Sequence, residues 1–399
     1  MKTVSVSDFD HIYDALRNHD LKQALYDEGK VIMDKVLLTL HGAEHRARRN
    51  LEFKVFRRNF FRYYQQEVFP PALDQSLSPF LKAGRADLID FGYRVTINLT
   101  ADFAGIDRTE KTPEETEDLL RFAKIFSEGA TMVHSKKDRD QLRRDVAAAL
   151  LDFDERFVKS SVARRADLLE KFGKGEIGEE DLPRDVLTVI LRNEDRLELP
   201  DDVILREMAF YLQAGSHSTS NSMVHVIHEI LTWMNAHPED REKIMSDPIF
   251  LQRCVHESLR LHPASPESWR SAMCPMTLSG GQEMAEGDKV VLDLHKANRD
   301  PEIFGDDADS FNPYRAIPKG RDPFGLTFGV GVHTCLGRDL DGGVVPKGDV
   351  DPETHEYGIV TLLVKVLLDN GVRPDPDDPP TPDPTTSRPN WGRYPVLFE

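Results

Sequence analysis

Residues 324–340 read FGLTFGVGVHTCLGRDL, four glycines (Gly325, Gly329, Gly331, Gly337) crowded around one cysteine, Cys335. Glycine takes positive φ where a tight turn demands it, and it lets a backbone approach a flat ligand closely. A single thiol in such a loop, followed by a short helical stretch, suits an axial thiolate whose sulfur is tuned by backbone N–H groups. His333, just before the cysteine, is placed to reach a carboxylate on the ligand's edge. Two other readings compete: a glycine-rich turn with an incidental thiol, and part of a zinc site. Zinc would want three more ligands at recognisable spacing, a pattern that Cys254, Cys274 and His262 do not supply.

Upstream, helical periodicity over residues 202–233 implies a helix of about 50 Å. Its flanks are apolar, but residues 215–222 read GSHSTSNS. Hydroxyl side chains in mid-helix compete for backbone hydrogen bonds, so such a run needs a reason. One reason is close crossing of another helix, which wants small residues. The other is a local opening of the helix that seats a small molecule and carries protons. Further on, Glu257 and Arg260 stand i, i+3 on one helix face. Alone, that pair reads as a solvated surface pair. With Arg315 and Cys335 downstream it reads as a buried charge network that fixes the loop.

Together these residues resemble the cytochrome P-450 family. Phe328-Gly329-x-Gly331-x-His333-x-Cys335-x-Gly337 is similar to its haem-binding signature. Glu257-x-x-Arg260 resembles its Glu-x-x-Arg helix, and Phe311-x-Pro313-x-Arg315 its meander. Ala297-Asn298-Arg299-Asp300-Pro301 resembles a run typical of soluble bacterial members, Ala214-Gly215 the helix that crosses the haem, and His45-x-x-x-Arg49 an early helix that holds a propionate. The resemblance covers roughly residues 5–399. It implies a mainly α fold with a small β portion, a triangular helical body around a buried haem, as a single catalytic domain over residues 1–399. The early position of His45 implies that the usual N-terminal helix and first strand are shortened or absent, and residues 341–356 read as a loop insert.

The resemblance also implies roles. Haem b would be ligated through its iron by Cys335, with Phe328 and Gly337 at the cofactor. His45, Arg49, Arg270 and His333 would partner the propionates, since the charged edge of a buried cofactor needs pairing. Glu257, Arg260 and Arg315 would form a structural triad, and Phe210, Ala214 and Gly215 would line the substrate pocket. The family usually places an acid and then a threonine after Ala-Gly-x. This chain has His217, then Ser218, with Thr219 one position later. Cleaving an O–O bond requires a proton on the departing oxygen. An imidazole titrates near neutrality, so His217 can replace the acid, with Ser218 or Thr219 as the hydroxyl.

The remaining sequence bounds the function. Apolar residues make up 39% and charged residues 30% of the 399, a soluble globular balance. The net charge of −18 argues against nucleic acid as a partner and against adhesion to anionic membranes. An odd count of three cysteines points to a reducing compartment. Acids at the N-terminus argue against a signal peptide, and no run reaches the roughly 18 apolar residues of a membrane span, so a cytoplasmic protein is expected. Helical periodicity marks 10–25, 44–67, 86–104, 114–134, 137–172, 182–193 and 239–261. Strand-like runs come at 289–294 and 395–398, and 373–389 should wrap the surface. Against the acidic background, residues 46–62 (RARRNLEFKVFRRNFFR) hold seven cations and one acid. An acidic ferredoxin, fed by ferredoxin reductase, would dock on such a strip; a merely solvated helix face is the plainer reading. No dinucleotide or flavin fingerprint is present, so electrons would come from separate proteins.

The expectation is therefore a haem-thiolate monooxygenase that inserts one O2-derived oxygen atom into a small apolar substrate. Three alternatives keep the fold: a peroxide-driven oxygenase, a thiolate-haem isomerase, and a non-catalytic haem sensor or carrier.

Overall fold

The run at 289–294 alternates as a strand should. In Lys289–Asp293, Val290 and Leu292 are buried and their neighbours half-buried. That strand pairs on both edges. Thr3–Val6 lies parallel to it, with Val4 opposite Val290. Glu267–Ala272 lies antiparallel, with Trp269 opposite Val291, and Leu21–Gln23 closes the sheet with Lys22 opposite Ser271. The helix Phe9–Arg17 is started by Asp8, whose carboxylate accepts from the His11 N–H at 2.9 Å. Its Phe9, Ile12 and Leu16 join Val290, Leu292 and Leu294 in one apolar cluster. The first helix and strand, expected to be shortened or absent, are thus present and built into the sheet. The expected helix over 10–25 stops at Arg17 because residues 21–23 are claimed by pairing with Glu267–Ala272.

The structure, a computed structural model, describes residues 1–197 and 199–398. It divides into two compact units. The first comprises Met1–Ala24, Phe61–Gly92 and Ser218–Glu399; the second comprises Leu25–Phe60 and Tyr93–His217. The long helix runs Asp201–Ala236. In the first unit, Pro248–Leu261 packs against Ile359–Asp369. Asp247 caps Pro248–Leu261 by accepting from Ile249 and Phe250 N–H at 3.0 Å, and this cap with Pro248 splits the helix expected over 239–261. In the second unit, Phe122, Phe126, Phe153 and Phe157 cluster, mostly tilted or edge-on, with ring centroids 5.3–6.1 Å apart between Pro113–Ala130 and the helices that follow.

One more expectation needs correction. The helix expected over 44–67 is Gly42–Glu52, then a tight turn Phe53–Phe56, then Arg58–Tyr63. The break turns Val55 and Phe56 inward, and Phe56 meets Phe103 edge-on at 4.6 Å. The segment 373–389 is mostly exposed, and within it Arg373–Pro374 and Thr381–Pro382 each pair as short strands. Residues 342–358 hold no helix or strand, as expected of an insert. Among the described residues, no helix is long and apolar enough to cross a membrane.

Candidate functional site

The cysteine loop is built from hydrogen bonds that close on themselves. Gly329 N–H donates to Leu326 O at 2.8 Å, Thr334 N–H to Gly331 O at 3.2 Å, and Cys335 N–H to Phe328 O at 2.8 Å. Gly329 and Gly331 carry φ of +63° and +78°, which other residues rarely adopt. The loop is held from behind by Asn298, which is fully buried. Its amide donates to Arg260 O at 2.9 Å and to Thr327 Oγ1 at 3.0 Å, and its oxygen accepts from Leu326 N–H at 2.7 Å. Gly325 must be glycine here, because a Cβ would meet Asn298 Oδ1 at 2.3 Å.

Glu257, Arg260 and Arg315 come together as one buried network. Arg260 donates to Glu257 through Nε at 2.8 Å and Nη2 at 2.7 Å, and Arg315 Nε donates to Glu257 Oε1 at 2.9 Å. Arg260 also donates to the carbonyls of Asn298 (2.5 Å) and Ala308 (2.7 Å). Arg315 pairs with Asp307 at 2.6 Å, so two guanidiniums face two carboxylates. Because Arg260 binds the carbonyl of Asn298, and Asn298 binds the loop, the network and the cysteine loop share a support.

The polar stretch of the long helix divides by role. The helix continues unbroken through it, so the expected local opening is absent. Ser216 Oγ donates to Leu212 O at 2.7 Å, so its hydroxyl is satisfied within the helix. Gly215 serves a close crossing, since a Cβ there would meet the Thr100 side chain at 3.0 Å. Thr219, Ser220, Asn221 and Ser222 are buried. From Glu207 to Ile227, only Ala214, Gly215, His217 and Ser218 keep partial exposure. They share one helix face by their i, i+3 and i, i+4 spacing. His217 Nδ1 is hydrogen-bonded to the Tyr93 hydroxyl, and Lys124 lies 5.2 Å over the Tyr93 ring. Phe210 is buried against Tyr211, with ring centroids 5.2 Å apart.

The other site residues fall as follows. His45 is buried; burial first, and then Arg49, push its imidazole down to about 4, so it is neutral and acts as a hydrogen-bonding group rather than a cation. Arg49 is half-buried on the same helix. Arg270 is buried, and its Nη1 donates to Gln23 Oε1 at 2.7 Å and Ser268 Oγ at 2.6 Å. His333 is half-buried on the short turn Gly331–His333. Within the basic strip, Arg48 belongs to the interior and not to the surface: it pairs with Glu52 at 3.3 Å and with Glu207. Lys54, Arg57 and Arg58 are exposed.

The pattern of the cytochrome P450 family matches residues 2–340. The chain belongs to the cytochrome P450 family. It is therefore a haem-thiolate monooxygenase by kind. Pulcherriminic acid synthase of Bacillus subtilis (strain 168) is 25% identical over 317 residues, covering 77% of this chain and 70% of its own length. Putative cytochrome P450 126 of Mycobacterium tuberculosis (strain ATCC 25618 / H37Rv) is 33% identical over 164 residues, covering 40% of this chain and 37% of its own. Among solved structures, CalO2 is similar with a TM-score of 0.75 at 20% identity, over 99% of this chain and 90% of that one. P450BioI, solved with an acyl carrier protein, gives 0.74 at 19% identity over 99% and 92%.

The residues present fit a haem. From 327 to 341 no residue is buried, although 324–326 and 342–343 are. That stretch includes the apolar Phe328, Val332, Leu336 and Leu340, partly exposed side chains that a flat apolar ligand would cover. A Cβ at Gly337 would meet nothing within 4 Å. Cys335 is exposed, whereas Cys254 is buried and burial pushes its thiol far up, out of any ligand role. Sequence reasoning missed three residues at this site. Asn298 was legible only as part of a family run. Tyr93 and Asp341 carried no signal, because their partners are distant in sequence.

Proposed function

We propose that this chain oxidises a small apolar organic substrate by hydroxylation or oxidative dealkylation, using haem b and O2 and electrons from a ferredoxin and its reductase in the cytoplasm, and that its two units act as one catalytic domain. The observation that carries this reading is the Cys335 loop: an accessible thiol on a fixed glycine-rich turn, set among half-exposed apolar side chains. Bound through Cys335, haem supplies O2 activation, which thiolate donation favours. Phe328 and Gly337 would border it, and Arg49, Arg270 and His333, with neutral His45 as a hydrogen-bonding group, would hold the propionates. Tyr93 fixes the ring of His217 through Nδ1, so that His217, with Ser218 or Thr219 as the hydroxyl, delivers protons to the reacting oxygen. Phe210, Ala214 and Gly215 shape the substrate side. Lys54 and Arg57 share a cleft of 780 Å³ with Arg184, Arg192 and Arg196; Glu179, paired to Arg192, and Glu180 also line it, so cations outnumber acids five to two on a face suited to an acidic ferredoxin. The replacement of the family's acid by His217 favours, as a second reading, a peroxide-driven oxygenase.

The test is spectral and then kinetic. The reduced carbon-monoxide complex should show the red-shifted Soret band of a thiolate haem. Cys335→Ala should abolish it, and Cys254→Ala and Cys274→Ala should keep it. A band retained in Cys335→Ala ends the reading. Product formed with ferredoxin, reductase and O2, or with peroxide alone, then separates the two readings.

A further inference from the structure

The buried side of the polar run contains one contact that the relay does not use. Thr219 Oγ1 donates to Asp341 Oδ1 at 2.5 Å, across 122 residues of sequence. Thr219 is buried on the long helix. Asp341 ends the short helix Arg338–Asp341 that leaves the cysteine loop, its N–H bonded to Gly337 O at 2.8 Å. The chain just beyond is pinned. His256 Nε2 donates to Gly342 O at 2.7 Å, and a Cβ at Gly343 would meet both Gln252 Nε2 and Tyr357 O at 2.3 Å. The carboxyl of Asp341 is therefore presented to Thr219 from a backbone that has little freedom to move.

The chemistry of the contact decides what each hydroxyl can do. Asp341 is half-buried as a residue, yet its carboxyl is crowded enough that burial pushes it up to about 6, against the opposing Thr219 bond. Near neutral pH it remains mostly a carboxylate, which only accepts. A threonine hydroxyl has one hydrogen, and here Asp341 takes it. Arg338, the nearest cation in sequence, is engaged by Asp339 at 2.7 Å. Ser218 instead lies on the partly exposed face with Ala214, Gly215 and His217.

We propose that Thr219 and Asp341 form a latch that fastens the long helix to the segment leaving the cysteine loop, and that Ser218 is the hydroxyl serving the relay with His217. Thr219 and Asp341 are positioning residues. The assignment rests on the monooxygenase reading for Ser218, while the latch itself rests on geometry alone.

The test uses the haem-loaded protein and measures haem loss to excess apomyoglobin beside coupling, read as hydrogen peroxide released per NAD(P)H consumed. A hydrogen bond to a charged group is worth enough that Thr219→Val and Asp341→Ala should each speed haem loss roughly 10- to 100-fold. The double variant should be no faster than either single one, because both remove the same contact. Thr219→Ser, which restores the donor, should return the wild-type rate. Ser218→Ala should leave haem loss unchanged and raise peroxide release. An unchanged rate in Thr219→Val, an additive double variant, or failure of Thr219→Ser to rescue would overturn the latch. Full coupling in Ser218→Ala would overturn the assignment of the hydroxyl. A wild-type protein lacking the thiolate band would defeat the haem reading alone. The latch would still be read in the urea midpoint, which Thr219→Val and Asp341→Ala should lower together and Thr219→Ser should not.

Discussion

Two of the ionic networks that the protein buries, one in each unit, solve the same problem differently. In the first unit, Arg260 and Arg315 face Glu257 and Asp307, with backbone carbonyls filling the remaining donors. In the second, one guanidinium, Arg48, serves two carboxyls, Glu52 and Glu207. Tyr211 donates to Glu52 at 2.5 Å and Leu37 N–H donates to Glu207 at 3.0 Å, but no second cation is paired there among the described residues. Burial raises both carboxyls, and with Glu52 nearby Glu207 reaches about 8. The balanced network is a fixed brace. The unbalanced one keeps a proton at neutral pH in place of the missing cation.

The difference can be broken from either side. The largest effect should come from Glu257→Ala. It strands the buried guanidinium of Arg260 and leaves Arg315 with Asp307 alone, and neither guanidinium can shed its charge. Urea unfolding should show a loss of about 3–5 kcal/mol at every pH from 6 to 8. A loss below about 1 kcal/mol would show a surface-like pair and undo the comparison. Arg48→Met should cost less, because stranded carboxyls can neutralise by binding protons. Its cost should grow between pH 5.5 and 8 and shrink on acidification; a pH-independent cost would mean that the two carboxyls already share a proton that Arg48 does not influence.

The smallest change should come from Glu207→Gln below pH 4.5, where both side chains are uncharged. Its signature is in the slope. A carboxyl held at about 8 when folded, against 4.5 when unfolded, binds its proton more tightly in the folded state. Its contribution is therefore complete below pH 4.5 and is lost as pH rises toward 8. Glu207→Gln should flatten the wild-type decline across that window, and an unchanged decline would assign the proton elsewhere. A surface control completes the series. Charge reversal at Lys54, Arg57 and Arg58 should leave stability within about 0.5 kcal/mol, since exposed sites contribute little. It should slow ferredoxin-driven turnover and flatten its salt dependence.

The two networks also differ in how far they could be read from sequence. Glu257 and Arg260 are one turn apart on one helix, and Arg315 stands at a fixed place in a recognisable segment. The second network joins Arg48 to Glu207 across 159 residues, and nothing local distinguishes Arg48 from its exposed neighbours Arg46 and Lys54. An arginine in a basic strip therefore reads as surface unless its distant partner is known. The long helix was legible in extent because apolar periodicity survives polar substitution at a few positions. The division of its serines and threonines was not. Whether a hydroxyl back-bonds, packs at a crossing or meets a carboxylate depends on what the rest of the chain places beside it, as Thr100 does for Gly215 and Asp341 for Thr219. The break at Phe53–Phe56 was hidden for the same reason, since Phe103 supplies the contact that draws Phe56 inward.

The central strand of the sheet has a consequence for how the chain is made. Thr3–Val6 pairs with Lys289–Asp293, and the Lys2 N–H reaches Asp288 across 286 residues. At roughly 5–20 residues per second, a ribosome needs about 15–60 s to travel that distance. The last residue of the second unit, His217, is translated well before Lys289. One unit can thus condense during synthesis while the amino-terminal strand waits, its backbone unpaired, for a partner that has yet to be polymerised.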